Sequence, residues 1–138
     1  LDSVVRSQGA ARNERGLIMS EYVVLIVGDA DRWWSTMTEQ ERQDGYAVYG
    51  RLSAELTERG HQVVGGAELH KTGTARSIPV GGGPVTDGPF AETAEQVGGF
   101  YQVRTDDLDD LLECFQQVAR LGDGIELRPV VTDEDRQA

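Results

Sequence analysis

The stretch Gly98-Gly99-Phe100-Tyr101-Gln102-Val103-Arg104-Thr105-Asp106-Asp107-Leu108-Asp109-Asp110-Leu111-Leu112-Glu113-Cys114-Phe115-Gln116-Gln117-Val118-Ala119 decides the fold. Its first seven residues, Gly98–Arg104, read as an apolar, aromatic strand. Asp106 is placed to cap a helix. Leu108, Leu111, Leu112, Phe115, Val118 and Ala119 then recur at helical spacing and form one apolar stripe. Leu121-Gly122 ends that helix, and Ile125–Val131 is the next strand. The stretch is therefore the heart of a βαβ unit.

Working outward, a similar unit lies upstream. Glu21–Val27 is a β-branched, apolar run suited to a strand buried on both faces, and Gly28-Asp29 ends it. A polar loop carrying Trp33 and Trp34 follows. Thr38, with Glu41 three residues on, makes a capping box that starts a helix. Tyr46, Tyr49, Leu52 and Leu56 share one face of it, and Gly60 is its stop. His61–Leu69 is the second strand, in which Gly65-Gly66 predicts a bulge or a close backbone approach. Between the two units, Ala75–Val80 and Val85-Thr86 pair as a hairpin across Gly81-Gly82-Gly83-Pro84. No Lys-Ser/Thr and no helix follow those glycines, so they are a turn and not a phosphate cradle.

The order predicts an α+β, ferredoxin-like βαββαβ fold with an extra β-hairpin. Its sheet is mainly antiparallel, with two helices on one face. The other face stays bare, and the strands are largely apolar on both sides. A second copy is expected there, making a homodimer.

Composition limits the function. The 138 residues are one domain's worth, enough for a single core. A net charge of -11, with only 13 Lys and Arg, argues against nucleic acid or an anionic membrane surface as partner. No apolar run approaches the roughly 20 residues that span a bilayer. Cys114 is the single cysteine, so no internal disulfide is possible. It has no neighbouring His or basic residue to activate it as a nucleophile, and it reads as a thiol flanking the buried side of its helix. Residues 1–18 carry Arg6, Arg12 and Arg15 without an apolar core, so they read as a flexible N-terminal extension and not a secretory signal. The domain is expected over 19–131, followed by a charged, fraying tail over 132–138. A cytoplasmic location is the simplest expectation, and nothing calls for a cofactor or a metal.

Several segments together are specific enough to compare with a family. They are Asp87-Gly88-Pro89-Phe90-Ala91-Glu92-Thr93, Glu95-Gln96-Val97-Gly98-Gly99-Phe100-Tyr101, Asp106-Asp107-Leu108-Asp109 and Glu126-Leu127-Arg128-Pro129-Val130, with Gly65-Gly66-Ala67-Glu68-Leu69 upstream. From Tyr22 to Val130 the chain resembles the YCII-related family and its DGPF subfamily. The resemblance implies a dimeric α+β barrel in which two ferredoxin-like units pack sheet to sheet. It also implies a pocket between sheet and helices or at the dimer seam. One functional implication is a small-molecule-binding or accessory protein, tied to an extracytoplasmic-function sigma factor regulator. The other is a dehydrochlorinase-like lyase or isomerase that uses a His–Asp pair. Here the loop after the first strand holds Asp29, Asp31, Trp33 and Trp34 but no histidine; the two histidines are His61 and His70.

The candidate site residues each have a plain structural alternative. Asp87, Gly88 and Pro89 build a turn, because Asp bonds local amides, Gly permits positive φ and Pro fixes φ. The same turn can aim Asp87 and Glu92 into a pocket, with Asp87 as acid or base and Phe90 as a wall. Glu92 and Glu95 are otherwise solvated acids at the start of a helical turn. Glu68 and His70, two apart on a strand end, share a face and can join Asp87 in an acid–base cluster. Otherwise His70 is a polar strand exit. Tyr101 belongs to the core unless its hydroxyl reaches the pocket, as do Tyr46 and Tyr49. Arg128 is the cation best placed for an anionic ligand, or else it pairs with one of the many acids. Trp33 and Trp34 either gate the pocket mouth or cover the core edge.

Overall fold

The central strand explains the rest of the architecture. In the computed structural model, which describes residues 11–138, β2 (Ile18–Gly28) is paired along both edges. The earlier part of the expected extension, residues 1–10 with Arg6, lies outside the described residues. One edge of β2 carries β6 (Gln96–Thr105), which in turn carries β3 (Gln62–Glu68). The other carries β7 (Gly124–Pro129). All these pairings are antiparallel, giving the order β7-β2-β6-β3, and the short β1 (Ala11–Arg12) pairs with Ile18 and Met19. The central place of β2 matches its unbroken apolar run.

The helices are α1 (Ala30–Ser35), α2 (Glu39–Glu58), α3 (Leu108–Ala119) and α4 (Asp133–Gln137). The split βαβ order places α2 and α3 on one face. There Leu52 and Leu56 of α2 and Leu111, Cys114, Phe115 and Val118 of α3 close over Val24, Ile26 and Val103. The α+β, ferredoxin-like architecture expected from the sequence is the one observed. On the other face lie Val23, Leu25 and Phe100, beside Glu21, whose carboxylate accepts from Arg104 Nε at 2.8 Å and Gln102 Nε2 at 2.6 Å.

Local signals held where backbone chemistry was decisive. Thr38 and Glu41 form the reciprocal capping box at the start of α2, and Gly60 stands beyond its end at φ +85°. Gly65-Gly66 marks a real irregularity, because the β3–β6 register shifts between Val63 and Gly65.

Four local expectations are corrected. The segment with Trp33 and Trp34 is a helix, α1, started by the Asp29 carboxylate accepting from Arg32 N–H at 2.9 Å. Asp107, not Asp106, caps α3, since its Oδ1 accepts from Asp110 N–H while Asp106 accepts from Asn13 Nδ2 at 2.7 Å. The hairpin strand expected over Ala75–Val80 shrinks to β4 (Arg76–Ser77), paired with β5 (Thr86–Asp87). Pro79 cannot donate to a ladder, and Gly81, Gly82 and Gly83 all take positive φ. The C-terminal segment expected to fray forms α4, with Thr132 and Asp135 in a capping box.

The two main helices differ in length, at 20 residues for α2 and 12 for α3. At 1.5 Å per residue, α2 outruns its neighbour by about 12 Å. Contacts to α3 come from its second half, through Glu55 to Gln117 and Arg59 to Asp110. Its earlier turns, bearing Tyr46 and Tyr49, stand beside α1 and the edge strand. A cavity opens there.

Candidate functional site

The cavity measures about 570 Å³, within the range usual for small-molecule sites. Its walls come from the end of β2 (Ile26, Gly28), α1 (Trp33, Trp34), the earlier turns of α2, the edge strand β3, the start of β6, and Asp123 in the α3–β7 turn. The indole of Trp33 lies against α2 because residue 45 is glycine. A Cβ at Gly45 would stand 2.7 Å from Trp33 Cη2. Trp33 then meets Tyr46 edge-on, with centroids 5.1 Å apart at 83°. Its buried N–H makes no well-formed hydrogen bond among the described residues.

Two phenol–carboxylate pairs line the wall. Tyr49 Oη donates to Asp123 Oδ2 at 3.1 Å, and Tyr46 Oη donates to Glu68 Oε1 at 3.1 Å. Burial pushes the Asp123 carboxyl above the usual carboxylate range, against the pull of the Tyr49 hydroxyl and the nearby Arg32 charge. Burial, followed by the negative charge of Asp123, raises the Tyr49 phenol well above its ordinary value, so it stays a neutral donor. Tyr46 and Tyr101 are raised too, in both cases chiefly by burial. A cavity holding a protonatable carboxyl beside a fixed phenol is equipped for hydrogen bonding and proton exchange. Asp123 sits directly against Gly28, where any side chain would displace its carboxylate.

The sequence candidates divide between this cavity and other places. Glu68 and Tyr101 line it, and the Tyr101 ring leans edge-on against Phe115 at 5.4 Å. His70 stands just past β3 and stacks on Trp34, with centroids 4.8 Å apart and planes 8° apart. The Lys71 N–H donates to its Nδ1 at 2.9 Å. Asp87 is not among the lining residues. Its side chain is 84% exposed, and its carboxylate meets Arg76 Nη1 at 3.1 Å on the β4–β5 ladder. Gly88 takes φ +97° and donates to Ala75 O, as the turn-building role requires. Phe90 is 73% exposed, and Glu92 is exposed in the loop that Gln96 ties down through Ala91 O and Thr93 O. No helical turn forms at Glu92–Glu95. Arg128 pairs with Val23 in the ladder and lies on the bare face, away from the cavity.

Sequence reasoning did not single out Asp123 or Gly45. Asp123 lies in Gly122-Asp123-Gly124, which reads as an ordinary turn; an acid between two glycines at a helix–strand junction was the available signal.

A second polar cluster sits at the far end of α2. Buried His61 bridges Thr105 Oγ1 at 2.8 Å and Asp110 Oδ2 at 2.7 Å, and Arg59 pairs with the same carboxylate. Cys114 is near enough that His61, Asp110 and Cys114 could share one ion. However, both His61 nitrogens are already bonded, and burial pushes the Cys114 thiol up to about 11. The cluster is a tie between α2, β6 and α3. The Arg59 guanidinium holds the Asp110 carboxyl below the usual range, with His61 adding to the effect. Because the folded value lies below the unfolded one, the contribution is complete above about pH 4 and is lost as pH falls through the folded value. Melting temperatures measured between about pH 5 and pH 2 should therefore fall more steeply for the wild type than for Asp110→Asn. Parallel curves would show that this carboxylate carries no such linkage.

Among the described residues no helix is long and apolar enough to cross a membrane. Comparison with curated proteins found no match to the chain. The family model for the YCII-related domain matches residues 20–133, from the start of the central strand to the beginning of α4. With that match covering most of its length, the chain belongs to the YCII-related domain family.

Proposed function

We propose that this YCII-related protein binds a small molecule in the cavity between α1, α2 and the β3–β6 edge. The observation that carries this is the cavity's construction, in which aromatic rings form the walls and two phenol–carboxylate pairs supply fixed polar contacts. The resemblance to the DGPF branch adds finer elements. These are a homodimer closed through the bare sheet face, a cytoplasmic setting and an accessory role tied to an extracytoplasmic-function sigma factor regulator. The half-buried strip of Val23, Leu25 and Phe100, on the sheet face opposite the α2–α3 core, supports the homodimer.

The chain's two tryptophans, Trp33 and Trp34, both line the cavity. Tryptophan emission is thus a direct reporter of occupancy. Titration with a panel of small aromatic amines, alcohols and acids should shift that emission and raise the melting temperature for at least one member. Silence in both readouts across the panel would remove the binding reading. Light scattering at micromolar protein tests the homodimer separately, and a monomeric mass would sink it.

A second reading is a lyase or isomerase that moves a proton. Asp123 favours it, because its carboxyl is raised by burial and sits beside Tyr49 in the cavity. In such a reaction Asp123 takes the acid–base role that the sequence assigned to Asp87. A carbonyl compound shown to bind should then exchange its α-proton with solvent deuterium, and Asp123→Asn should abolish the exchange. Exchange at equal rates in both proteins would exclude Asp123 from the chemistry.

A further inference from the structure

Charge distribution around the cavity is one-sided. Asp29, Glu68 and Asp123 stand among its lining residues, and none of the described residues that line it is Lys, Arg or His. Asp29 is partly engaged as the cap of α1. Glu68 and Asp123 each receive one phenol hydroxyl on one oxygen, Oε1 and Oδ2 respectively. Among the described residues no protein donor reaches Glu68 Oε2 or Asp123 Oδ1. The nearest positive influence on Asp123 is Arg32, which lies outside the lining.

The aromatic lining has a matching bias. Trp33, Trp34, Tyr46, Tyr49 and Tyr101 line one cavity, with one face of the Trp34 indole covered by the stacked His70 ring. The face of each ring is the negative end of its quadrupole and attracts a cation, most strongly for Trp. An anion entering here would meet carboxylates and ring faces with no cationic side chain in the lining to offset them. A neutral ligand would satisfy the rings but bring no counter-charge to the two carboxylates. The net charge of -11 adds a long-range field of the same sign.

We infer that the ligand is an organic cation, an amine or quaternary ammonium carried on an apolar or aromatic body. The charged nitrogen is attracted by the negative charges of Glu68 and Asp123 and by the phenol rings of Tyr46 and Tyr49 that stand between them, while the body lies against Trp33, Trp34 and the apolar edge at Val63 and Leu69. This assignment rests on the proposal that the cavity is a small-molecule site and specifies what that site selects.

The test uses the full chain and four probes of similar size. They are 2-phenylethylammonium, benzyltrimethylammonium, 2-phenylethanol and phenylacetate, followed by tryptophan emission and calorimetry. The two cations should bind at least about tenfold more tightly than the alcohol or the acid, a gap of about 1.4 kcal/mol. Glu68→Gln and Asp123→Asn retain oxygen acceptors for the phenols, so each should lower the cation-to-alcohol affinity ratio several-fold. Unchanged melting temperatures would show that both variants fold. If the alcohol or phenylacetate binds as tightly as the cations, the cation assignment is overturned and the pocket reading survives. If the ratio is unmoved in both variants, the two acids are not the selecting groups and the assignment fails. If none of the four binds, both the assignment and the pocket reading fail.

Discussion

Phe115→Ala should destabilise the fold by about 3–5 kcal/mol, the range for deleting a fully buried phenyl ring. Phe115 is the largest of the fully buried side chains. It sits where α3 meets the sheet, packed in the cluster with Leu52, Leu56, Val24 and Val103. Truncation removes the apolar transfer term and leaves a void that two helices and a sheet cannot close without moving together. It also withdraws the edge-on support of Tyr101, one of the cavity rings. Urea unfolding should show a much lower midpoint with little change in slope, since the surface exposed on unfolding is nearly the same. Leu112→Ala is the control on the same helix. Leu112 is 38% exposed, and its loss should have a far smaller effect. Equal losses at the two positions would mean that α3 is rotated from the face described.

Gly66→Ala is the second large effect, acting through the backbone. Gly66 lies in β3 at φ +151°, and a Cβ there would stand 2.6 Å from Phe100 O on the neighbouring strand. The backbone conformation alone costs a non-glycine residue about 1–3 kcal/mol. The contact is with a main-chain oxygen, so no side chain can swing aside to relieve it. The β3–β6 ladder must part instead, and this edge forms one wall of the cavity. Gly66→Ala should therefore lower stability and, at temperatures where the protein is still folded, weaken probe binding. Gly50→Ala provides the contrast. A Cβ at that exposed α2 position meets nothing within 4 Å, and alanine is the better helix former. A neutral Gly66→Ala would show that the edge strand has room the structure does not give it.

Legibility followed the range of the interaction. The Thr38–Glu41 box, the stop near Gly60 and the Gly65-Gly66 irregularity are effects of a few neighbouring residues, and each was readable from the chain. The cap of α3 moved by one residue, because Asp106 is engaged by Asn13 from a segment 93 positions away. Likewise, α1 looked like a loop because its six residues include two tryptophans and end after fewer than two turns. Beyond the Asp29 cap, it seats Trp33 against Gly45, a contact that no local pattern announces. Glu68 and Tyr101 line the cavity because strand alternation and the register with β6 put them there. Asp87 and Phe90 stood out for their turn chemistry, and in the structure that chemistry builds an exposed arm.

Hydrophobic periodicity and turn residues were enough to order the strands and helices, since both depend on spacing along the chain, while the family resemblance was carried by particular segments such as Asp87–Thr93 and Glu126–Val130. Which side chains share the cavity was settled by packing. A 20-residue helix beside one of 12 carries Tyr46 and Tyr49 beyond the Glu55–Gln117 and Arg59–Asp110 contacts with α3, and the space beside them is bounded by residues from 26 to 123. Tyr49 and Asp123, 74 positions apart, meet only after the sheet has set the distance between their elements. Their juxtaposition depends on the three-dimensional arrangement of β2, α2 and β7, and no periodicity in the chain encodes a contact of that range.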